Sequence, residues 1–189
     1  MFTWIIESTA PILAINGSEF TVQNMFLEPV EIGQSIAHDG ACMTVTGITD
    51  ETYTFFAMEE SLKKTNFWRK RVGDLFNVER CLQIGDRLDG HFVTGHIETM
   101  AEIEHIQIHD DGSRTIQISY NELYDQLVVD KWSIAINGVS LTVVEVTTGW
   151  CTIWLIPHTL AATNLWKLEL GWIVNVEFDL LAKYAQKKA

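Results

Sequence analysis

Residues 133–142, SIAINGVSLT, repeat residues 35–44, SIAHDGACMT, and the match runs on without a gap to residue 79 at a constant offset of 98. Over those 45 aligned positions 16 are identical, among them Ser35 and Ser133, Gly40 and Gly138, Thr44 and Thr142, Asn66 and Asn164, and Asn77 and Asn175. A further stretch, TWIIESTAPI from Thr3, matches TGHIETMAEI from Thr94 at an offset of 91. The offset changes by seven, so one loop differs in length. A unit of about 90 residues repeated twice is too long for a solenoid repeat and long enough for a small domain. The chain therefore reads as a tandem duplication: residues 1–90, residues 91–179 and a closing segment, 180–189.

The pattern within each copy is that of strands. FTVQNMFL, CMTVTGIT, YTFFAM and LFNVE in the first half, and AEIEHIQI, RTIQISY, IAINGVSLTVVEVT, CTIWLI and WIVNVEF in the second, are short alternating runs. Turn-forming NG, DG, GD and TTG clusters separate them, as in antiparallel barrels or sandwiches. MEESLKKTN and IPHTLAATN fall at equivalent places and read as short helices, with Glu59, Glu60 and Pro157 suited to a helix start. NELYDQLVVDKW reads as another, and DLLAKYAQKKA as a closing amphipathic helix. The expected class is all-β with a few short helices.

Composition excludes some functions. With 25 acidic and 13 basic residues the net charge is −12, and the longest basic run is Arg69–Lys70–Arg71, so nucleic acid and anionic membranes are disfavoured partners. Three cysteines, Cys42, Cys81 and Cys151, without a CxxC pair and behind an N-terminus lacking a basic leader, suggest a reduced, cytoplasmic setting. No apolar run reaches the length of a membrane span. Halves this small bury little surface, which makes oligomerisation an expectation.

Strand alternation places Cys42 with Thr44, and Ser140 with Thr142, on one face beside a glycine, a set suited to a ligand rich in hydrogen-bonding groups. The same segments also satisfy the simple requirements of a tight hairpin. His91 and His96 lie five apart; on a strand they would point to opposite faces, which disfavours a zinc pair. A Ser140–His96–Asp179 hydrolase triad lacks the G-x-S-x-G elbow, and there is no P-loop or G-x-G-x-x-G cradle.

SIAHDGACMTV, LQIGDRLDGHFVTGHIE, SIAINGVSLTV, LIPHTL, TNL and VNVEFDLLAKY, together with the initial MFT, resemble the alpha-type riboflavin synthase family over essentially the whole chain. The resemblance implies two six-stranded barrels and a C-terminal helix, usually in a homotrimer. It implies conversion of two 6,7-dimethyl-8-ribityllumazine molecules to riboflavin and a pyrimidine by four-carbon transfer, with no cofactor or metal. A non-catalytic, lumazine- or flavin-binding antenna branch of the family is the alternative. By the same resemblance, Phe2, Ser35, Cys42, Thr44, Met58 and Ser61 form one half of the site. His96, Lys131, Ser140, Thr142, Ile156, Thr159 and Asp179 form the other. His96, Ser140 and Thr142 would handle the donor and its proton, Ser35 and Cys42 the acceptor, and Lys131 and Asp179 the ribityl chain or the ring. Trp4, Trp68, Trp132 and Trp166 stand where the family usually has glycine, and Trp172 faces Asp74 in the repeat.

Overall fold

The computed structural model describes residues 1–187. The first half contains strands β1 (Ser8–Asn16), β2 (Glu19–Gln23), β3 (Ser35–His38), β4 (Ala41–Ile48), β5 (Thr52–Phe56) and β6 (Leu75–Arg80). The second contains β7 (Thr99–Ile108), β8 (Arg114–Ser119), β9 (Ser133–Ile136), β10 (Val139–Thr147), β11 (Trp150–Leu155) and β12 (Ile173–Phe178). Each set closes into an antiparallel barrel, in the order β1-β2-β5-β4-β3-β6 and, equivalently, β7-β8-β11-β10-β9-β12. Closure removes every sheet edge. Helix α1 (Glu59–Lys64) follows β5, α2 (Pro157–Ala162) follows β11, and α3 (Leu180–Gln186) follows β12. The expected helix at NELYDQLVVDKW is a 3-10 turn, Glu122–Leu127. The last two residues of the expected C-terminal helix lie outside the described residues. Among the described residues no helix is long and apolar enough to cross a membrane.

The repeat extends to details that identity does not show. Bulges interrupt the ladders between Val45 and Gly47 and between Val143 and Glu145, at matching places, so each barrel bends at the same point. The cores are filled differently. Phe55, Phe67 and Phe76 in the first barrel correspond to Ile153, Leu165 and Val174 in the second, all buried. The first barrel also encloses His38, whose Nε2 lies 2.8 Å from Tyr53 Oη and whose ring is 4.2 Å from that of Phe55. Ile136 and Cys151 fill those places in the second barrel. Burial holds the His38 imidazole down at about 3, so it stays neutral inside the barrel.

The barrels interlock about a pseudo-two-fold axis. The β3–β4 and β9–β10 turns, Asp39–Gly40 and Asn137–Gly138, all have positive φ, as two-residue hairpin turns of this type require. They meet back to back: a Cβ on Gly40 would lie 2.9 Å from the Gly138 nitrogen, and one on Gly138 2.6 Å from the Gly40 nitrogen. Four asparagines close the seam. Asn66 N donates to Asn175 Oδ1 at 2.7 Å, and Asn164 N donates to Asn77 Oδ1 at 2.6 Å. Asn77 Nδ2 donates to the Asn137 carbonyl and Asn175 Nδ2 to that of Asp39, each at 2.9 Å. Buried polar groups need partners; each half supplies these four bonds to the other, while Asn66 Oδ1 and Asn164 Oδ1 are buried without a partner among the described residues. The symmetry fails at buried Asp39, which pairs with Lys70 Nζ at 2.5 Å, where the second half has Asn137 and Leu168.

Candidate functional site

Two leader segments, residues 1–7 and 91–98, carry the chain into β1 and β7 along this seam. They pair with each other at a single antiparallel bridge, Phe2 with Val93. Each leader is clamped by a glutamate of its own barrel. Glu79 Oε1 accepts from Thr3 N and Oγ1, both at 2.8 Å, and Oε2 from Trp4 N at 2.9 Å. Glu177 accepts from Thr94 N and Oγ1, both at 2.7 Å, and from Gly95 N at 3.0 Å. Burial pushes the Glu79 carboxyl up to about 7 despite those donors, and burial also raises Glu177. The carbonyls then cross over: Cys42 N donates to Gly95 O at 2.8 Å, and Ser140 N to Trp4 O at 3.1 Å. Each leader thus belongs to one barrel and lies against a strand of the other, β10 for the first and β4 for the second.

This geometry explains why Trp4 faces Gly95 in the repeat. Both need positive φ, 59° at Trp4 and 85° at Gly95. A Cβ on Gly95 would stand 2.5 Å from Cys42 Cβ and 3.0 Å from the Phe2 ring, so glycine is required there. Trp4 carries its side chain in the same left-handed conformation, fully buried, with its ring stacked on Phe2 at 5.2 Å and an interplanar angle of 3°. Bulk at the surface does not account for this tryptophan. It does describe Trp68, Trp132 and Trp166, which are 60%, 42% and 51% exposed.

Around the crossed leaders the two barrels present equivalent positions with different chemistry. In the first, Ser35 pairs with Thr44 across the β3–β4 ladder, and Cys42 is half-buried on β4. Burial raises the Cys42 thiol, which therefore stays protonated near neutral pH. Cys81 packs beside it in the Phe2–Trp4 cluster, 3.8 Å from the terminal amine. In the second barrel Ser133 pairs with Thr142, and Ser140 Oγ lies 2.8 Å from His91 Nδ1. Asp179, the counterpart of Cys81, is buried and accepts from Leu181 N at 2.8 Å, capping α3. Burial lowers the His91 imidazole, partly offset by Asp179, and its Nε2 is buried without a partner among the described residues. It is a neutral base held against a serine.

The histidine that touches Ser140 is thus His91, whereas His96 is exposed. The segment between them is not a strand apart from the Val93 bridge, so the alternation rule applied to this pair does not hold. His91 and Cys81 are the positions that sequence reasoning did not select. The repeat holds one signal, since Cys81 aligns with Asp179. The remaining predicted residues lie on the flanks. Met58 and Ile156 occupy equivalent caps of α1 and α2 and are 64% and 53% exposed. Ser61 and Thr159 offer equivalent carbonyls to Thr65 and Thr163. Lys131 precedes β9 at φ 64°, opposite Gly33 in the repeat, and its Nζ reaches Asp130 at 3.4 Å. No cluster of metal-ligating side chains occurs among the described residues.

The lumazine binding domain family matches residues 3–81 and again 94–179. Riboflavin synthase of Escherichia coli (strain K12) is 38% identical over 188 residues, covering 95% of this chain and 87% of that protein. LumP complexed with riboflavin superposes with a TM-score of 0.84 at 27% identity, covering 94% of this chain and 99% of LumP. LumP complexed with 6,7-dimethyl-8-(1'-D-ribityl) lumazine gives 0.81 at the same identity, over 94% and 98%. Two consecutive matches, relatives covered over most of their length and one shared architecture agree: this chain belongs to the lumazine-binding domain family, as a tandem pair with riboflavin synthases among its relatives.

Proposed function

We propose that the protein is a riboflavin synthase, transferring a four-carbon unit between two molecules of 6,7-dimethyl-8-ribityllumazine to give riboflavin and 5-amino-6-ribitylaminopyrimidinedione. The observation that carries this reading is the unequal pair at equivalent positions, Cys42 and Cys81 against Ser140 and Asp179. A reaction between two identical molecules needs two similar pockets, and giving one molecule the role of donor needs those pockets to differ. Proton removal from the donor's 7-methyl group falls to the second barrel, where neutral His91 holds the Ser140 hydroxyl and Thr142 lies on the same face of β10. The acceptor rests against the first barrel, where Ser35 and the protonated Cys42 thiol supply hydrogen bonds to the adduct. Phe2, fully buried on Trp4, backs the site from behind, and Lys131, Asp179, Ser61 and Thr159 take the ribityl chains. Exposed Met58, Ile156 and His96 are surfaces for a neighbouring barrel to cover, in keeping with a cytoplasmic homotrimer in which each site forms between subunits. Holding both rings in register supplies much of the rate.

The second reading, a non-catalytic lumazine or flavin carrier, is favoured by the likeness to LumP. One assay separates them. Purified protein incubated with 6,7-dimethyl-8-ribityllumazine and no added cofactor is expected to produce one riboflavin per two lumazines consumed. Stoichiometric binding with no consumption would establish the carrier instead.

A further inference from the structure

A cavity of about 670 Å³ opens at the asparagine seam, with Asn66, Asn137 and Asn164 in its wall. None of Phe2, Ser35, Cys42, His91 or Ser140 lines it. Its walls come from both halves, just after Asn66 and Asn164, and they are not symmetric. Trp68 and Trp172 supply two half-exposed indoles; the first half has Asp74 where the second has Trp172. Arg69, Lys70, Arg71 and Lys167 also line it, four of the chain's 13 basic residues, against the single carboxylate of Asp74.

The four cations are not equivalent. Lys70 is committed to buried Asp39. Among the described residues no carboxylate forms an ion pair with Arg69, Arg71 or Lys167. Arg69 lies over the Trp68 ring at 5.0 Å and reaches the Gly171 carbonyl at 3.4 Å, which holds a guanidinium and an indole together across the seam. Asp74 is occupied by the Arg71 backbone nitrogen, at 2.8 Å. The cavity is therefore a local excess of positive charge in a chain of net charge −12. Over a Debye length of about 8 Å at physiological salt, the local cations outweigh the distant acidic surface. Indoles favour flat π systems, and guanidinium groups favour phosphate oxygens.

We propose that this cavity is a binding site for a planar heteroaromatic monophosphate, its ring held by Trp68 and Trp172 and its phosphate by Arg69, Arg71 and Lys167. Its volume is in the range of small-ligand pockets. The site is independent of the barrel sites and of the chemistry assigned to them.

Equilibrium dialysis of the full chain with flavin mononucleotide and adenosine monophosphate tests it, with riboflavin and adenosine as the uncharged counterparts. At least one monophosphate is expected to fill one equivalent per chain beyond its uncharged counterpart. That extra equivalent weakens about tenfold between 0.05 and 0.5 M salt, as screening requires. Trp68→Leu abolishes it and Arg71→Gln weakens it about tenfold, while riboflavin binding is unchanged in both. Equal stoichiometry for each charged and uncharged pair overturns the proposal, as does an extra equivalent that ignores salt or survives both substitutions. Arg71 is exposed, so Arg71→Gln keeps the test valid if Trp68→Leu disturbs folding.

Discussion

His91 Nδ1 lies 2.8 Å from Ser140 Oγ, joining the second leader to β10 across 49 residues of chain. A neutral His91 with its proton on Nε2 leaves Nδ1 free to accept the serine proton. On the proposed chemistry, His91→Gln lowers kcat about a hundredfold with little change in KM, the span expected of a lost acid–base partner. Cys42→Ser, which keeps a small polar group in the first barrel, is expected to lower kcat less. Steady-state kinetics on the lumazine measures both, and an unchanged kcat for His91→Gln would remove this pair from the mechanism.

His38 predicts acid sensitivity with a defined sign. Its folded value of about 3 lies below the ordinary 6.5, so between those limits the unfolded chain binds a proton that the folded chain does not. Stability is then full above pH 6.5 and lost as pH falls toward 3, by about 2 kcal/mol between pH 7 and 5. Urea unfolding at the two pH values measures the loss. A His38→Ile, Tyr53→Phe double variant, which brings an aliphatic side chain from the second barrel's solution into the first, is expected to flatten that dependence.

The Asp39–Lys70 pair predicts strong coupling. Lys70→Leu leaves a buried carboxylate without its cation and is expected to destabilise by about 3–5 kcal/mol. Asp39→Asn with Lys70→Leu reproduces the second half, Asn137 and Leu168, and is expected to recover most of that loss. A double-mutant cycle in denaturant provides the comparison, and additive losses would contradict the arrangement.

At the turn contact, Gly138→Ala forces a left-handed φ of 73° on a residue with a Cβ and pushes that Cβ against the Gly40 backbone. The combined cost is about 2–4 kcal/mol. Gly33 also has positive φ, but nothing lies within 4 Å of its Cβ position, and its counterpart Lys131 already carries a side chain. Gly33→Ala is therefore expected to cost only about 1 kcal/mol. Thermal melts of the two variants should separate clearly.

Trp4→Gly relieves a left-handed tryptophan and empties a buried site. The cavity term, about 3–5 kcal/mol, exceeds the backbone relief of about 1–2 kcal/mol. A net loss near 2–3 kcal/mol is expected in denaturant unfolding, and a gain in stability would mean that the ring is strained rather than packed.

The strand alternation, the DG and NG turns and the 98-residue repeat were enough to establish two all-β halves of one design, barrels or sandwiches, because local periodicity and turn chemistry are properties of neighbouring residues; the barrel itself was implied by the family resemblance. β1 escaped that reading: Pro11 interrupts its pattern, yet Ala10 and Pro11 pair with Phe76 and Leu75 in the closed barrel. The resemblance brought Cys42, Ser140 and Asp179 to notice without showing what touches them. Tertiary structure alone placed His91 rather than His96 on Ser140, set Cys81 beside Cys42, crossed the leaders between barrels and joined Trp68 to Trp172 around one cavity. Those relations span from 39 to more than 100 positions of chain and depend on how two closed barrels dock, a packing outcome that no local pattern encodes. The sequence by itself determined that this protein has two like halves; their docking about Gly40 and Gly138 decided which unlike side chains meet.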